Sequence, residues 1–246
     1  MLGRQVVERL RAAGVGARVL SRSGRPGTVR GDLLTGEGLE RAVRGVDKII
    51  HCASSPYRKT RRVDVEGTKR LLRAAAGAGV SHCVYISIVG IDRVASYPYY
   101  RVKLDAERIV EDSPVPHTIL RATQFYDLVL MAMRFVDRLP VMPVPTGFLG
   151  QPVDSGEVAD RMVELALSEP AGRVPDVGGP EIRTLEDAAR VYLEIMGKRK
   201  RILKLPFPGK TARAFRGGAL TCPENRYGKV RWEELLRADR DANDGR

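Results

Sequence analysis

Short apolar runs alternate with stretches of helical periodicity from residue 17 to residue 125, and this alternation leaves few architectures open. ARVLSR (17–22), DKIIHCASS (47–55), SHCVYIS (81–87) and HTILRATQF (117–125) read as strands, and TVRGDLLT as a weaker one ending at Gly31 and Asp32. LERAVRGVD (39–47), VDVEGTKRLLRAAAGAGV (63–80) and SYPYYRVKLDAERIVEDS (96–113) repeat apolar residues at helical spacing. Strands and helices in this order build βαβ units, whose right-handed crossovers assemble a parallel sheet. Helices cover both faces of such a sheet, so its strands read as nearly continuous apolar runs. The expected fold class is α/β, a doubly wound parallel sheet.

The start of the chain departs from that scheme. In LGRQVVERLRAAG, Val6, Val7, Leu10 and Ala13 recur at helical spacing, with Glu8, Arg9 and Arg11 on the other side and Gly14 closing the run. An amphipathic helix therefore begins with no strand before it. In a doubly wound sheet the phosphate-binding turn joins the first strand to the first helix, and its glycines let the backbone approach a pyrophosphate. Only Leu2 and Gly3 occupy that place, Gly3 standing where the last glycine of a G-x-x-G-x-x-G turn falls. The absent strand belongs at the centre of the sheet, between the strands at 17–22 and 47–52. Without it those two edges lose their partners unless they pair with each other, at about 1–3 kcal/mol for each unsatisfied buried N–H or C=O. The 246-residue chain is accordingly expected to be a truncated or wrongly started form of a longer protein.

Beyond residue 126 the pattern loosens. A helix (127–137) leads into the proline-rich LPVMPVPTG, and QPVDSGEVADRMVELAL, GRVPDVGG, TLEDAARVYLEIMG and KRILKLP follow, alternating strand and helix less strictly. Residues 127–246 read as a smaller substrate-side lobe after a core of residues 1–126, with a polar, frayed tail from about residue 238. Cys52, Cys83 and Cys222 lie far apart with no C-x-x-C, which suits reduced thiols and a cytoplasmic location. FYDLVLMAMRFVDRLPVMPVP is interrupted by Asp127, Arg134 and prolines, so no helix is expected to cross a membrane and no membrane partner is expected. The net charge is +12, but basic and acidic residues interleave through most segments. The compact basic run is GKRKRILK (197–204), where Ile202, Leu203 and Leu205 read as a buried strand. This favours an arginine-rich solvated surface over nucleic-acid binding. His51, His82 and His117 lie at or near strand positions without ligand spacing, so no metal site is expected. Neither a G-x-S-x-G elbow nor a G-x-x-x-x-G-K-[ST] loop occurs.

LGRQVVERLRAAG, ARVLSRS, VRGDLL, IIHCASS, VDVEGTKRLLRAA, VYISIVGID, YYRVKLDAERIV and TILRATQFYD follow one another as in the atypical short-chain dehydrogenase/reductases. The chain resembles in particular their NmrA-like, NAD(P)H-binding branch, over about residues 2–190. Relative to that branch roughly ten residues are lacking at the front, a strand plus the first part of the glycine-rich turn. The resemblance implies a Rossmann-type sheet whose residues 1–126 form the dinucleotide-binding core. It places Leu2 and Gly3 against the pyrophosphate and Ser21 and Arg22 at the adenosine ribose. An acidic residue there accepts a ribose 2′-OH, whereas Arg22, with Arg25 nearby, suits a 2′-phosphate, so NADP(H) is favoured over NAD(H). Asp32 and Leu33 would flank the adenine, and Ala53, Ser54 and Ser87 would line the cofactor. Ala122 and Thr123, with Gln124 and Phe125, would close over the nicotinamide.

SYPYYRVK contains Tyr99-x-x-x-Lys103, which puts a phenol and an ammonium on one helical face. The ammonium favours phenolate, drawing a pKa that starts near 10 toward acid–base range. The resemblance makes Tyr99 the proton donor to a substrate carbonyl and Lys103 the holder of the nicotinamide ribose, with Ser87 the third member of the catalytic set. Tyr100, three residues before Lys103, is the rival phenol. Ser87 is followed by Ile88, where related enzymes carry paired serines with the second active. The leading reading is an NAD(P)H-dependent oxidoreductase passing hydride to a small carbonyl or quinone-like acceptor. The alternatives are a non-catalytic NAD(P)-binding regulator that senses redox state through a partner, an impaired truncated copy and, more weakly, a sugar-nucleotide epimerase.

Overall fold

The computed structural model describes residues 2–56 and 58–244. Up to residue 122 the elements are α1 (Leu2–Ala12), β1 (Val19–Ser21), β2 (Thr28–Arg30), α2 (Leu39–Val43), β3 (Lys48–His51), a π-helical turn (Arg62–Gly67), α3 (Thr68–Gly77), β4 (His82–Ile88), α4 (Pro98–Glu111) and β5 (His117–Ala122). Then come α5 (Tyr126–Val136), β6 (Met142–Pro145), β7 (Leu149–Gly150), α6 (Ser155–Leu167), β8 (Gly172–Arg173), β9 (Arg183–Thr184), α7 (Leu185–Ile195), β10 (Ile202–Leu205), α8 (Lys210–Arg216) and α9 (Trp232–Asp244).

These elements gather into two compact units. The first comprises Met1–Ser87, Tyr97–Arg121 and Val158–Pro175, and the second Ile88–Ser96, Ala122–Glu157 and Asp176–Arg246. Residue 126 is thus not the one place where the chain changes unit. Residues 158–175 return to the first unit because β8 pairs in parallel with β5, Thr118 opposite Gly172 and Ile119 opposite Arg173.

The first unit is built on a four-stranded sheet in the order β3-β4-β5-β8, with Ile49 opposite Cys83 and Ile50 opposite Val84 across a parallel pair. β1 and β2 form a separate parallel pair, Leu20 opposite Val29. Among the described residues β1 and β3 do not pair with each other, and Val19, Leu20, Ile49 and Ile50 are half-buried. The core lies deeper, where Leu39, Val43, Leu71 and Leu72 from the helices meet Cys83, Tyr85 and Ile119 from the strands.

One helix differs from its expected form. The segment read as continuous from residue 63 opens with the π-helical turn before α3. Two local causes are visible. The Thr68 hydroxyl donates to the Asp64 carbonyl at 2.7 Å, a back-bond that disturbs the helical ladder. Gly67 lies so close to the neighbouring loop that a Cβ there would stand 2.8 Å from Leu33 Cβ and 2.9 Å from Leu33 O.

The second unit packs α5, α7 and α9 around Tyr126, Met142, Tyr192 and Trp232. The Tyr126 and Trp232 rings stack at 5.5 Å, and the Trp232 indole N–H donates to Ala188 O at 3.1 Å. The proline-rich stretch contains a strand, β6, parallel to β10. The N–H groups of Met142 and Thr146 bond to Arg201 O and Leu205 O, so Pro143 and Pro145 fall at alternate positions facing away from the partner and cost no ladder bond. The expected frayed tail is instead helical through Asp244, and its last two residues lie outside the described residues.

Candidate functional site

Two of the catalytic candidates lie on α4, Tyr99 reaching the residues after β3 and Lys103 reaching β4, and the third, Ser87, lies on β4 itself. Tyr97 is extended and Pro98 opens the helix, a position where the missing proline N–H is no loss. Tyr99 and Lys103 then lie one turn apart. The Tyr99 hydroxyl is 3.1 Å from the Ser54 hydroxyl, just beyond β3, so the structure brings these two predicted residues together. Lys103 turns inward and is only 3 % exposed. Its ammonium donates to the Tyr85 hydroxyl at 2.5 Å and to Ile86 O at 3.2 Å, and it stands 4.4 Å from the centre of the Tyr85 ring. Tyr85 and Ser87 alternate along β4 and share a face. Ser87 is buried, and its hydroxyl has no partner among the described residues.

Burial pulls the Lys103 pKa down from 10.5 to about 8, although the carboxylates of Asp64 and Glu107 act to raise it. Burial holds the Tyr85 phenol well above its ordinary range, so it stays neutral and can accept from the ammonium. Asp64, in the π-helical turn, is buried too. One of its oxygens accepts the Ser55 N–H at 3.1 Å, while the other has no partner among the described residues. His51 is held at the same place, its Nε2 2.8 Å from the Thr68 hydroxyl. That hydroxyl already gives its proton to Asp64 O, so His51 donates from Nε2. Burial first, and Lys103 second, lower the His51 pKa to about 3, so the ring is neutral at physiological pH. The Tyr100 phenol is pushed up by burial and then by Tyr97 and Tyr99, with which its ring packs at 4.9 and 5.8 Å.

The other predicted residues are distributed as follows. Leu2 is buried and Gly3 exposed at the start of α1, where a Cβ on Gly3 would make only ordinary contact with Cys52 Cβ at 3.9 Å. The Ser21 hydroxyl pairs with that of Ser23 at 3.0 Å, and Arg22 and Arg25 are exposed on the loop that follows. The Asp32 carboxylate accepts the Leu34 N–H at 2.9 Å, which fixes its own turn, and Leu33 belongs to the core. Ala53 and Ser54 are exposed. In the second unit Ala122 bridges to Val177, the Thr123 hydroxyl donates to Gln151 O, and the Gln124 amide donates to Leu220 O at 3.3 Å. Phe125 precedes α5 and is half-buried. No group of three or more His, Cys, Asp or Glu converges on a metal-sized position among the described residues. Sequence reasoning missed Tyr85 and Asp64. The two-residue alternation back from Ser87 was the available signal for Tyr85.

Residues 1–169 match the NAD(P)H-binding family. The chain belongs to that family. Among its relatives is the (4-alkanoyl-5-oxo-2,5-dihydrofuran-3-yl)methyl phosphate reductase of Streptomyces griseus, 30% identical over 83% of this chain and 73% of the relative. The photosystem II assembly factor Ycf39 of Trieres chinensis is 24% identical over 83% of this chain and 69% of its own length. Solved structures agree on the fold. An NADPH-dependent quinone oxidoreductase from Escherichia coli superposes with a TM-score of 0.80 at 17% identity, over 97% of this chain and 96% of its own. The UDP-glucose 4-epimerase of Thermus thermophilus, in complex with NAD, gives 0.75 at 23% identity over 100% and 96%. This NAD(P)H-binding chain therefore has a Rossmann-like α/β fold, as its alternating strands and helices required.

Proposed function

We propose that the chain is an NAD(P)H-dependent oxidoreductase that reduces a small carbonyl or quinone-like acceptor. The observation that carries this reading is the Tyr99 phenol, held by the Ser54 hydroxyl at 3.1 Å, one helical turn from a buried ammonium. The residues present suit a dinucleotide. Gly3 and Ala53 leave exposed surface without bulky side chains at the start of α1 and the end of β3, and Ser87 offers a buried hydroxyl with no partner among the described residues. Leu2, Gly3, Ser21, Arg22, Ala53, Ser54, Ser87 and Lys103 would hold the cofactor. The exposed Arg22 and Arg25 support NADP(H), because a guanidinium matches a 2′-phosphate in a way an acidic residue does not.

When bound, the cofactor supplies hydride. The protein supplies the proton: Tyr99 releases it to the acceptor oxygen while Ser54 orients the phenol, and the Lys103 charge eases formation of the phenolate. One hydride and one proton complete the reduction of a carbonyl to an alcohol or of a quinone to a hydroquinone. The test is oxidation of NADPH and NADH against a panel of aldehydes, ketones and quinones, with Tyr99→Phe as the control. Turnover with NADPH that is lost in Tyr99→Phe supports the reading. A second reading is a non-catalytic redox-sensing regulator, favoured by the inward turn of Lys103 and by Ile88 following Ser87. Tight NADPH binding with no turnover across the panel would establish that one instead.

A further inference from the structure

The second unit carries a surface that nothing in the proposed chemistry uses. α5 is apolar on both sides. Tyr126, Val129, Leu130 and Met133 are buried, while Leu128, Met131 and Phe135 form an outward stripe at helical spacing that continues into Leu139 and Val141. Phe135 is 68 % exposed and Met131 51 %. Exposed apolar side chains at this spacing, interrupted on α5 by Asp127 and Arg134, mark a contact surface.

On one side of it the charge is of one sign, although Arg134 on α5 itself pairs with Asp239 of α9. From residue 195 to residue 223 the sequence holds eight Lys or Arg and no Asp or Glu, so the positive charge is less dispersed than the interleaving elsewhere suggests. This segment adjoins the apolar stripe. Lys198 and Lys200 both reach Asp137 at the end of α5, Lys200 also donates to Leu139 O at 3.1 Å, and Met142 N–H bonds to Arg201 O. Arg199, Arg201 and Lys204 are exposed and in no ion pair among the described residues. Leu203, expected to be buried in its strand, is 45 % exposed, and Phe207, four residues on, is exposed too.

We infer that this face docks on an anionic membrane surface, the stripe of Leu128, Met131, Phe135 and Leu139 entering the headgroup–acyl boundary and Arg199 and Arg201 meeting lipid phosphates. Charge complementarity selects the occupant. Exposed aliphatic side chains gain nothing from a nucleic-acid backbone, and an uncharged apolar partner gains nothing from the basic rim, whereas an anionic bilayer rewards both. No helix among the described residues is long and apolar enough to cross a bilayer.

Flotation of the full chain with phosphatidylcholine vesicles, with and without phosphatidylglycerol, tests the assignment. Binding is expected only to the anionic vesicles and weakens as salt rises. Arg199→Gln and Arg201→Gln should each weaken it about fivefold, and Phe135→Ser by about tenfold or more. These positions are exposed, and unchanged circular dichroism would show that the variants fold. Three results would overturn the inference: no preference for anionic vesicles, full binding by a Met131→Ser/Phe135→Ser double variant, or tighter capture by polyglutamate than by the vesicles. Self-association without lipid that the double variant abolishes would assign the face to a second copy and overturn it as well.

Discussion

Lys103 and Arg121 are both cations buried in the first unit, and they are held in opposite ways. The Arg121 guanidinium meets the Glu107 carboxylate through two bonds of 2.8 and 2.6 Å, with both side chains about 5 % exposed. Lys103 is bonded instead to a phenol and a backbone carbonyl, with the carboxylates acting only through space. A closed bidentate pair neutralises itself and offers nothing to a ligand. An ammonium held by neutral groups keeps a charge that can titrate and be felt by a neighbouring phenol. One pair locks the core; the other leaves a charge available for chemistry.

The largest effect that could break this contrast is on stability. Glu107→Ala should destabilise the protein by about 3–5 kcal/mol in denaturant unfolding, because it strands a buried guanidinium. Replacing both partners, Glu107→Leu with Arg121→Met, should recover most of that loss. Lys103→Met should behave differently, relieving the cost of a buried ammonium below pH about 8 and so leaving stability unchanged or raised. A loss in Lys103→Met as large as that in Glu107→Ala would erase the distinction. On the proposed chemistry, Tyr99→Phe should lower turnover by about 10²–10⁴-fold with less change in NADPH affinity, read from steady-state rates and fluorescence titration.

His51 sharpens the same point through pH. Its pKa lies near 3 in the folded protein against an ordinary 6.5, so between those values the unfolded chain binds a proton that the folded one does not. Stability should therefore fall as pH drops through this window, by up to about 1.4 kcal/mol per pH unit from this group. His51→Gln should flatten the slope measured in urea melts. The smallest effect is expected from Tyr85→Phe. Losing the hydroxyl that accepts from the ammonium lowers the Lys103 pKa further below about 8, and the alkaline fall of the pH–rate profile should move to lower pH. An unmoved profile would separate Tyr85 from the role proposed for Lys103.

Most of the fold was legible because periodicity is a property of single segments. The strands at 48–51, 82–88 and 117–122 and the helix bearing Tyr99 and Lys103 lie where their patterns put them. Contacts between segments were less visible. Tyr99-x-x-x-Lys103 announced a shared helical face but not that the lysine would turn toward Tyr85, which depends on how α4 packs against β4. The π-helical turn rests on Thr68 and Gly67 acting against Asp64 and Leu33, and no local propensity encodes that combination. In LPVMPVPTG the prolines masked a strand, because composition does not say which edge of a strand its partner occupies.

The return of residues 158–175 to the first unit has a consequence for how the protein is made. A ribosome that has synthesised β5 has not yet delivered β8, so Thr118 and Ile119 must wait for Gly172 and Arg173 while the intervening α5 and β6 emerge. The first unit therefore cannot complete its sheet before the second has begun to appear, and its folding is tied to the later part of the chain rather than proceeding strictly from front to back. A nascent chain stalled near residue 126 would expose an apolar strand edge, the surface that chaperones engage.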